Sequence, residues 1–216
     1  TVTSITAGDG GADIIFAGPG NDLVIGGAGA DDIHGQDGDD IIFGDSALLT
    51  FSSGLLLRGE SIDNAIGGGD TLRGEAGNDM IVGGAYGDRI DGGTEEDLVV
   101  GDNAILDRTG RVNNRTTLLH QTLTGGLIYD IYGNALVNGV PRNEPGGSPV
   151  WSDFVLTLVD HSFAEEAAGS TRFGDDYLAG GAGDDRIFGG LGNDIIQGDS
   201  SIDLVVGARR LTDGAL

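Results

Sequence analysis

The chain has 216 residues, 42 of them Gly, and sets 35 acidic residues against 11 bases for a net charge of −24. Such a polyanion is repelled by nucleic-acid phosphates and anionic lipid headgroups, which argues against both as partners and leaves cations. With no Cys there is no disulfide framework or thiolate metal site, and 6% aromatics cannot fill a thick core, although 38% hydrophobic residues exceed what simple disorder carries.

All 11 bases are Arg, and Asp outnumbers Glu 28 to 7. A salt-adapted surface would account for acidity alone, so position decides. In residues 1–45, Asp13, Asp22, Asp31 and Asp40 stand nine apart; in 65–102, Asp70, Asp79, Asp88 and Asp97 do; in 171–208, Asp176, Asp185, Asp194 and Asp203 do. An aliphatic residue follows each of these twelve Asp by two positions, from Ile15 to Val205, and Gly precedes nine of them by two positions. Tyr86, Glu95 and Ser201 are the exceptions. Each unit is thus six turn residues and three strand residues whose middle side chain points inward. Two units make an 18-residue coil, and stacked coils make two parallel sheets around a core about one side chain thick.

Between the blocks lie two excursions. Residues 46–64 read as a β-hairpin, Ala47 to Phe51 and Leu55 to Arg58 around Ser52-Ser53-Gly54. Residues 103–170 carry strand-like runs at Thr116 to Leu123, Leu127 to Tyr132 and Phe154 to Val159, a Pro/Gly linker from Pro141 to Pro149, and Trp151. Their arginines Arg108, Arg111, Arg115 and Arg142 read as a solvated cluster or as partners for the acidic blocks. The blocks before these excursions close alike, in Gly44-Asp45-Ser46 and Gly101-Asp102-Asn103. Asp45 and Asp102 either add a carboxylate to a last cation or simply close the turn. Asp203-Leu204-Val205-Val206-Gly207 repeats Asp97-Leu98-Val99-Val100-Gly101, so a further excursion is expected over 209–216. This truncated echo and the absence of an initial Met read as a segment of a longer chain.

The units resemble the Gly-Gly-x-Gly-x-Asp-x-aliphatic-x nonapeptides of RTX (haemolysin-type, calcium-binding) repeats. The resemblance implies an all-β fold, a right-handed parallel β-roll in three stacked blocks, with calcium held between the turns of units n and n+2. It pairs Asp13 with Asp31, Asp22 with Asp40, Asp70 with Asp88, Asp79 with Asp97, Asp176 with Asp194 and Asp185 with Asp203, for about six Ca2+ ions or more if the blocks stack on one another. The residues support the choice of metal: stacked carboxylates about 4.8 Å apart repel one another, and a hard cation that accepts carboxylate and carbonyl oxygens suits Gly-rich turns better than magnesium or zinc. Turns that carry Asp without any metal are the alternative.

Catalysis is not expected. His34 sits on an outer strand position, His120 in a polar run, and Asp160-His161 has no nucleophile beside it. No apolar run approaches the length of a membrane span. The expected function is a calcium-binding extracellular structural module of a large secreted adhesin, surface-layer, matrix or fibre protein, exported by type I secretion as the resemblance implies. It would associate with itself or with neighbouring segments, without nucleic acid or membrane insertion. The alternative is the calcium-dependent module of a secreted enzyme or toxin. An ice- or sugar-binding face is disfavoured, because no Thr ladder runs along the coils.

Overall fold

The computed structural model describes residues 2–3, 10–109, 136–137, 140–141, 151, 154–159, 161, 164 and 172–203. The strands are β1 (Val2–Thr3), β2 (Ile14–Phe16), β3 (Leu23–Ile25), β4 (Asp32–Asp37), β5 (Ile41–Phe43), β6 (Ala47–Ser52), β7 (Leu55–Ser61), β8 (Thr71–Ala76) and β9 (Met80–Gly84). They continue with β10 (Arg89–Thr94), β11 (Leu98–Asp102), β12 (Ala104–Asp107), β13 (Leu136–Val137), β14 (Val140–Pro141), β15 (Val155–Leu158), β16 (Tyr177–Ala182), β17 (Arg186–Phe188) and β18 (Ile195–Gln197).

The nonapeptide strands alternate between two parallel sheets, a six-stranded one ordered β18-β16-β10-β8-β4-β2 and a five-stranded one ordered β17-β11-β9-β5-β3. Within a block the register advances 18 residues, as in Ile15 opposite Ile33 and Val24 opposite Ile42. Across the excursions it advances 39 and 88, as in Ile33 opposite Leu72 and Ile90 opposite Leu178. The three blocks are therefore one unbroken parallel β-roll, into which insertions of 21 and 70 residues have been spliced. Ten of the twelve expected inward aliphatics form one core, Val24, Ile33, Ile42, Leu72, Ile81, Ile90, Val99 and Leu178 flanked by Ile15 and Ile187; Ile196, on the last strand of the roll, is 51% exposed, and Val205 lies outside the described residues.

The turns follow from backbone sterics. Counting back from the repeat Asp, positions −4 and −2 take positive φ in the units of Asp22, Asp31, Asp40, Asp79, Asp88, Asp97, Asp185 and Asp194, as at Gly27 (108°) and Gly29 (127°). Tyr86 and Glu95, both at φ 76°, adopt the same conformation at position −2, so two of the exceptional units keep their turns.

A second core was not anticipated from the sequence. The hairpin β6–β7, with β12, β15 and β1, forms an antiparallel sheet ordered β1-β6-β7-β12-β15. Its Ala47, Leu49, Leu56, Ala104 and Leu106 pack with Trp151 and Phe154 against Phe43, Met80, Val82, Leu98 and Val100 on the outer face of the five-stranded sheet. That sheet is buried on both faces, whereas the outer face of the six-stranded sheet carries Asp32, His34, Arg73, Arg89 and Asp91. Arg108 is not solvated: it is buried, donates from Nε to the Leu56 carbonyl at 2.6 Å and stacks over Phe154. Arg111, Arg115, Arg142 and His120, and the expected strands at 116–123 and 127–132, lie outside the described residues.

Candidate metal centres

The two edges of the roll are built from repeat carboxylates stacked in register. On the edge preceding the six-stranded sheet, the backbone N–H of each Asp donates to Oδ1 of the next. Asp13 donates to Asp31, Asp31 to Asp70, Asp70 to Asp88 and Asp88 to Asp176, each at 2.8 Å, and Asp176 to Asp194 at 3.1 Å. On the opposite edge Asp22 donates to Asp40, Asp40 to Asp79 and Asp79 to Asp97 at 2.8 Å, and Asp97 to Asp185 at 3.0 Å. Four of these nine steps, Asp31 to Asp70, Asp40 to Asp79, Asp88 to Asp176 and Asp97 to Asp185, bridge different blocks.

Only Oδ1 is used in this way. Oδ2 of Asp22, Asp31, Asp40, Asp70, Asp79, Asp88, Asp97 and Asp176 is buried without a hydrogen-bond partner. A buried anionic oxygen with no donor is costly, and a repeating row of them needs an explanation. A Gly five positions before a repeat Asp, counted along the roll with the excursions left out, leaves room for it: a Cβ on Gly26 would strike Oδ2 of Asp31 and the carbonyl of Gly44. Across the excursions, one on Gly44 would strike Oδ2 of Asp70 and the carbonyl of Gly83, and one on Gly101 Oδ2 of Asp176 and the carbonyl of Gly189. Carboxylate oxygens and turn carbonyls thus converge along each edge, a donor set of hard oxygens. Among the described residues no three His, Cys, Asp or Glu side chains gather into a side-chain-only metal site. A cation here would draw on the turn carbonyls as well.

The electrostatics agree. Burial, opposed by the backbone N–H donors and reinforced by neighbouring carboxylates, pushes Asp97 up to about 9, Asp70, Asp79 and Asp176 to about 7 and Asp40 to about 6. Asp31, Asp88 and Asp185 are also raised, mainly by burial.

Asp45 and Asp102 occupy position −4 of a turn, and the excursions begin immediately after them. Asp45 accepts Gly68 N–H on Oδ1 (3.2 Å) and Ala85 N–H on Oδ2 (2.5 Å). Asp102 accepts Leu191 N–H on Oδ2 (2.6 Å), with His161 Nε2 at 3.6 Å, while its Oδ1 is buried and unpartnered. Both are pushed up to about 8, first by burial. Asp45 is thus a turn-closing group with both oxygens engaged, and Asp102 keeps one oxygen to offer.

Asp203 stands apart. Its side chain is largely exposed and lies 3.6 Å from Arg73 on the outer face of the six-stranded sheet. Its unit departs from the repeat at Ser201.

A second row went unnoticed in the sequence. At the position before the repeat Asp, Asp39 N–H donates to Asn21, Asn78 N–H to Asp39 and Glu96 N–H to Asn78, and on the other edge Asn193 N–H donates to Asp175. Its signal is the recurrence of Asn or Asp at that position. The Trp151 indole N–H donates to the Glu96 carbonyl at 2.7 Å, which ties the long excursion to the same row.

Among the described residues no helix is long and apolar enough to cross a membrane. The family model described as RTX calcium-binding nonapeptide repeat (4 copies) matches residues 7–42, 65–99 and 171–205, the three runs that build the roll. Neither curated proteins nor solved structures give a match. RTX repeats bind Ca2+, form β-rolls and are typical of secreted proteins. The carboxylate rows, their partnerless oxygens and the matching repeats lead to one conclusion: the chain belongs to the RTX calcium-binding nonapeptide repeat family, a calcium-binding module of secreted proteins.

Proposed function

We propose that the chain is a non-catalytic structural module of a large extracellular protein, an adhesin, surface-layer, matrix or fibre component, that becomes rigid on meeting calcium. The observation behind this reading is the continuity of the two carboxylate rows through both excursions, so that one set of ions serves the whole roll. Calcium, when bound, supplies the positive charge that offsets the repulsion along each edge. The chain's own part is to hold Oδ2 of each Asp fixed by anchoring Oδ1 on a backbone N–H and to bring turn carbonyls beside it. In calcium-poor surroundings the buried carboxylates oppose folding, and at millimolar calcium the binding free energy becomes folding free energy.

Each of the nine steps between successive carboxylates is a candidate ion position, more than the six within-block pairs supply. Calorimetric titration of the chelator-stripped chain, read with far-ultraviolet circular dichroism, tests this. The expected result is a β signal that collapses in excess EGTA and a stoichiometry above six. A β signal and melting temperature unchanged in EGTA would sink the calcium reading.

A further inference from the structure

We propose that the outer face of the six-stranded sheet is the docking surface for a third excursion of this chain, the segment that follows Asp199. Gly198-Asp199-Ser200 repeats Gly44-Asp45-Ser46 and Gly101-Asp102-Asn103, the points at which the first two excursions leave the roll. Those two follow strands of the five-stranded sheet and cover its outer face. Gly198 follows β18 of the six-stranded sheet, so the segment leaves from the opposite edge, toward the other face.

Its first residues are already seated there. Ser201 Oγ and Ile202 N–H both donate to Oδ2 of Asp91, at 2.5 and 3.1 Å, and Arg89 Nη2 donates to the Ile202 carbonyl at 3.0 Å. Ile202 is 4% exposed and Asp91 8%, so this contact is a packed one. The turn chemistry agrees: where the same edge carries Asn21, Asp39, Asn78 and Glu96 before the repeat Asp, the last unit carries apolar Ile202. A side chain of that kind cannot extend the polar row, but it can be buried against a sheet.

Beside the seated residues lies a cavity of about 570 Å3 lined by Arg73, Glu75, Asp91, Thr94, Asp199 and Asp203 among others. Four of these six are carboxylates, and the chain continues into Leu204-Val205-Val206 and then Arg209-Arg210. The two arginines complement the acidic wall, as Arg73 complements Asp203. The surface is thus continuous with an established contact and matched in charge to residues 204–216.

The chain has no Lys, so trypsin cuts only after Arg, and cleavage at Arg209 and Arg210 reports on the segment directly. In the calcium-loaded full chain we expect Asp91→Ala to speed cleavage there by about tenfold or more, and the milder Ser201→Ala by less, since freeing a docked segment costs about as much as a local opening. Circular dichroism of each variant checks that the roll persists. Cleavage unaffected by either variant, or accelerated by Asp185→Ala alone, would mean that residues 204–206 instead extend the five-stranded sheet beyond β17, and would overturn the proposal. Protection that fades on dilution would assign the face to a second copy and overturn it equally.

Discussion

Asp88 donates its backbone N–H to Oδ1 of Asp176 at 2.8 Å across 88 residues of sequence, the same contact and length that Asp13 makes with Asp31 across 18. The long excursion leaves no mark on the row it interrupts. Asp88 is also among the most deeply buried carboxylates, held well above the ordinary range by burial.

Asp88→Ala should therefore harm the whole roll. It removes the acceptor for Asp70 N–H and one wall of two successive cation positions. The expected loss in calcium is at least the roughly 1–3 kcal/mol of one unsatisfied buried donor, or about 2–4 °C in melting temperature per kcal/mol for a chain of this size. Asp107→Ala, outside the rows on the salt bridge to Arg58, should cost about 0–1 kcal/mol. Equal losses in the two variants would contradict the ladder's role.

The metal-free chain should respond to pH in the sense opposite to ordinary acid denaturation. Carboxylates held at about 6 to 9, from Asp40 to Asp97, against an ordinary value of 3.8, bind more protons folded than unfolded. Their favourable contribution is complete below about pH 4 and is lost as pH climbs through the folded values. In EGTA the β signal and melting temperature should rise on acidification from about pH 9 to about pH 5; with calcium they should fall, because protons displace the ion. A melting temperature in EGTA that does not vary with pH would count against these buried acids.

Gly44→Ala tests the crowding on the ion-facing side of a turn. Its Cβ would overlap both Oδ2 of Asp70 and the Gly83 carbonyl, and a loss of about 1–3 kcal/mol is expected, together with weakened calcium affinity. Gly11→Ala meets nothing within 4 Å and should stay within about 0.5 kcal/mol. Melting curves with and without calcium separate packing from ion loss.

Trp151 reports on the long excursion. Fully buried and bonded to the Glu96 carbonyl, it should show blue-shifted emission in calcium that moves red in EGTA as the β signal falls. Trp151→Phe, which keeps most of the volume but loses the indole N–H, should lower stability by about 1–3 kcal/mol. Emission insensitive to calcium would separate the excursion from the roll.

The roll itself was legible because each nonapeptide states its own geometry: Gly27 and Gly29 declare a turn, Asp31 closes it, and Ile33 faces inward. The stacking of blocks was less so, since nothing local to Asp31 says that its partner is Asp70. The cover on the five-stranded sheet was written in a pattern that the repeat period obscures. Ile41 and Phe43, Met80 and Val82, and Leu98 and Val100 are apolar at outward positions, where Asp32 and His34, Thr71 and Arg73, and Arg89 and Asp91 are mostly polar. Reading every second unit separately would have exposed the difference. Asp203 misled because it keeps the nine-residue phase while its flanking Ser201 and Ile202 leave it; position alone does not make a turn.

Both excursions enter between positions −4 and −3 of a turn, after Asp45 and after Asp102, and the strands beyond them resume in register. The roll thus offers a splice site whose two ends are already fixed by the neighbouring coils, with an Asp to satisfy amides of the next turn. Lengthening such a loop from 21 to 70 residues costs only about 1 kcal/mol in closure entropy. A scaffold of this kind can host polypeptide of very different length and purpose at one defined place and still transmit the same ionic order from one end to the other.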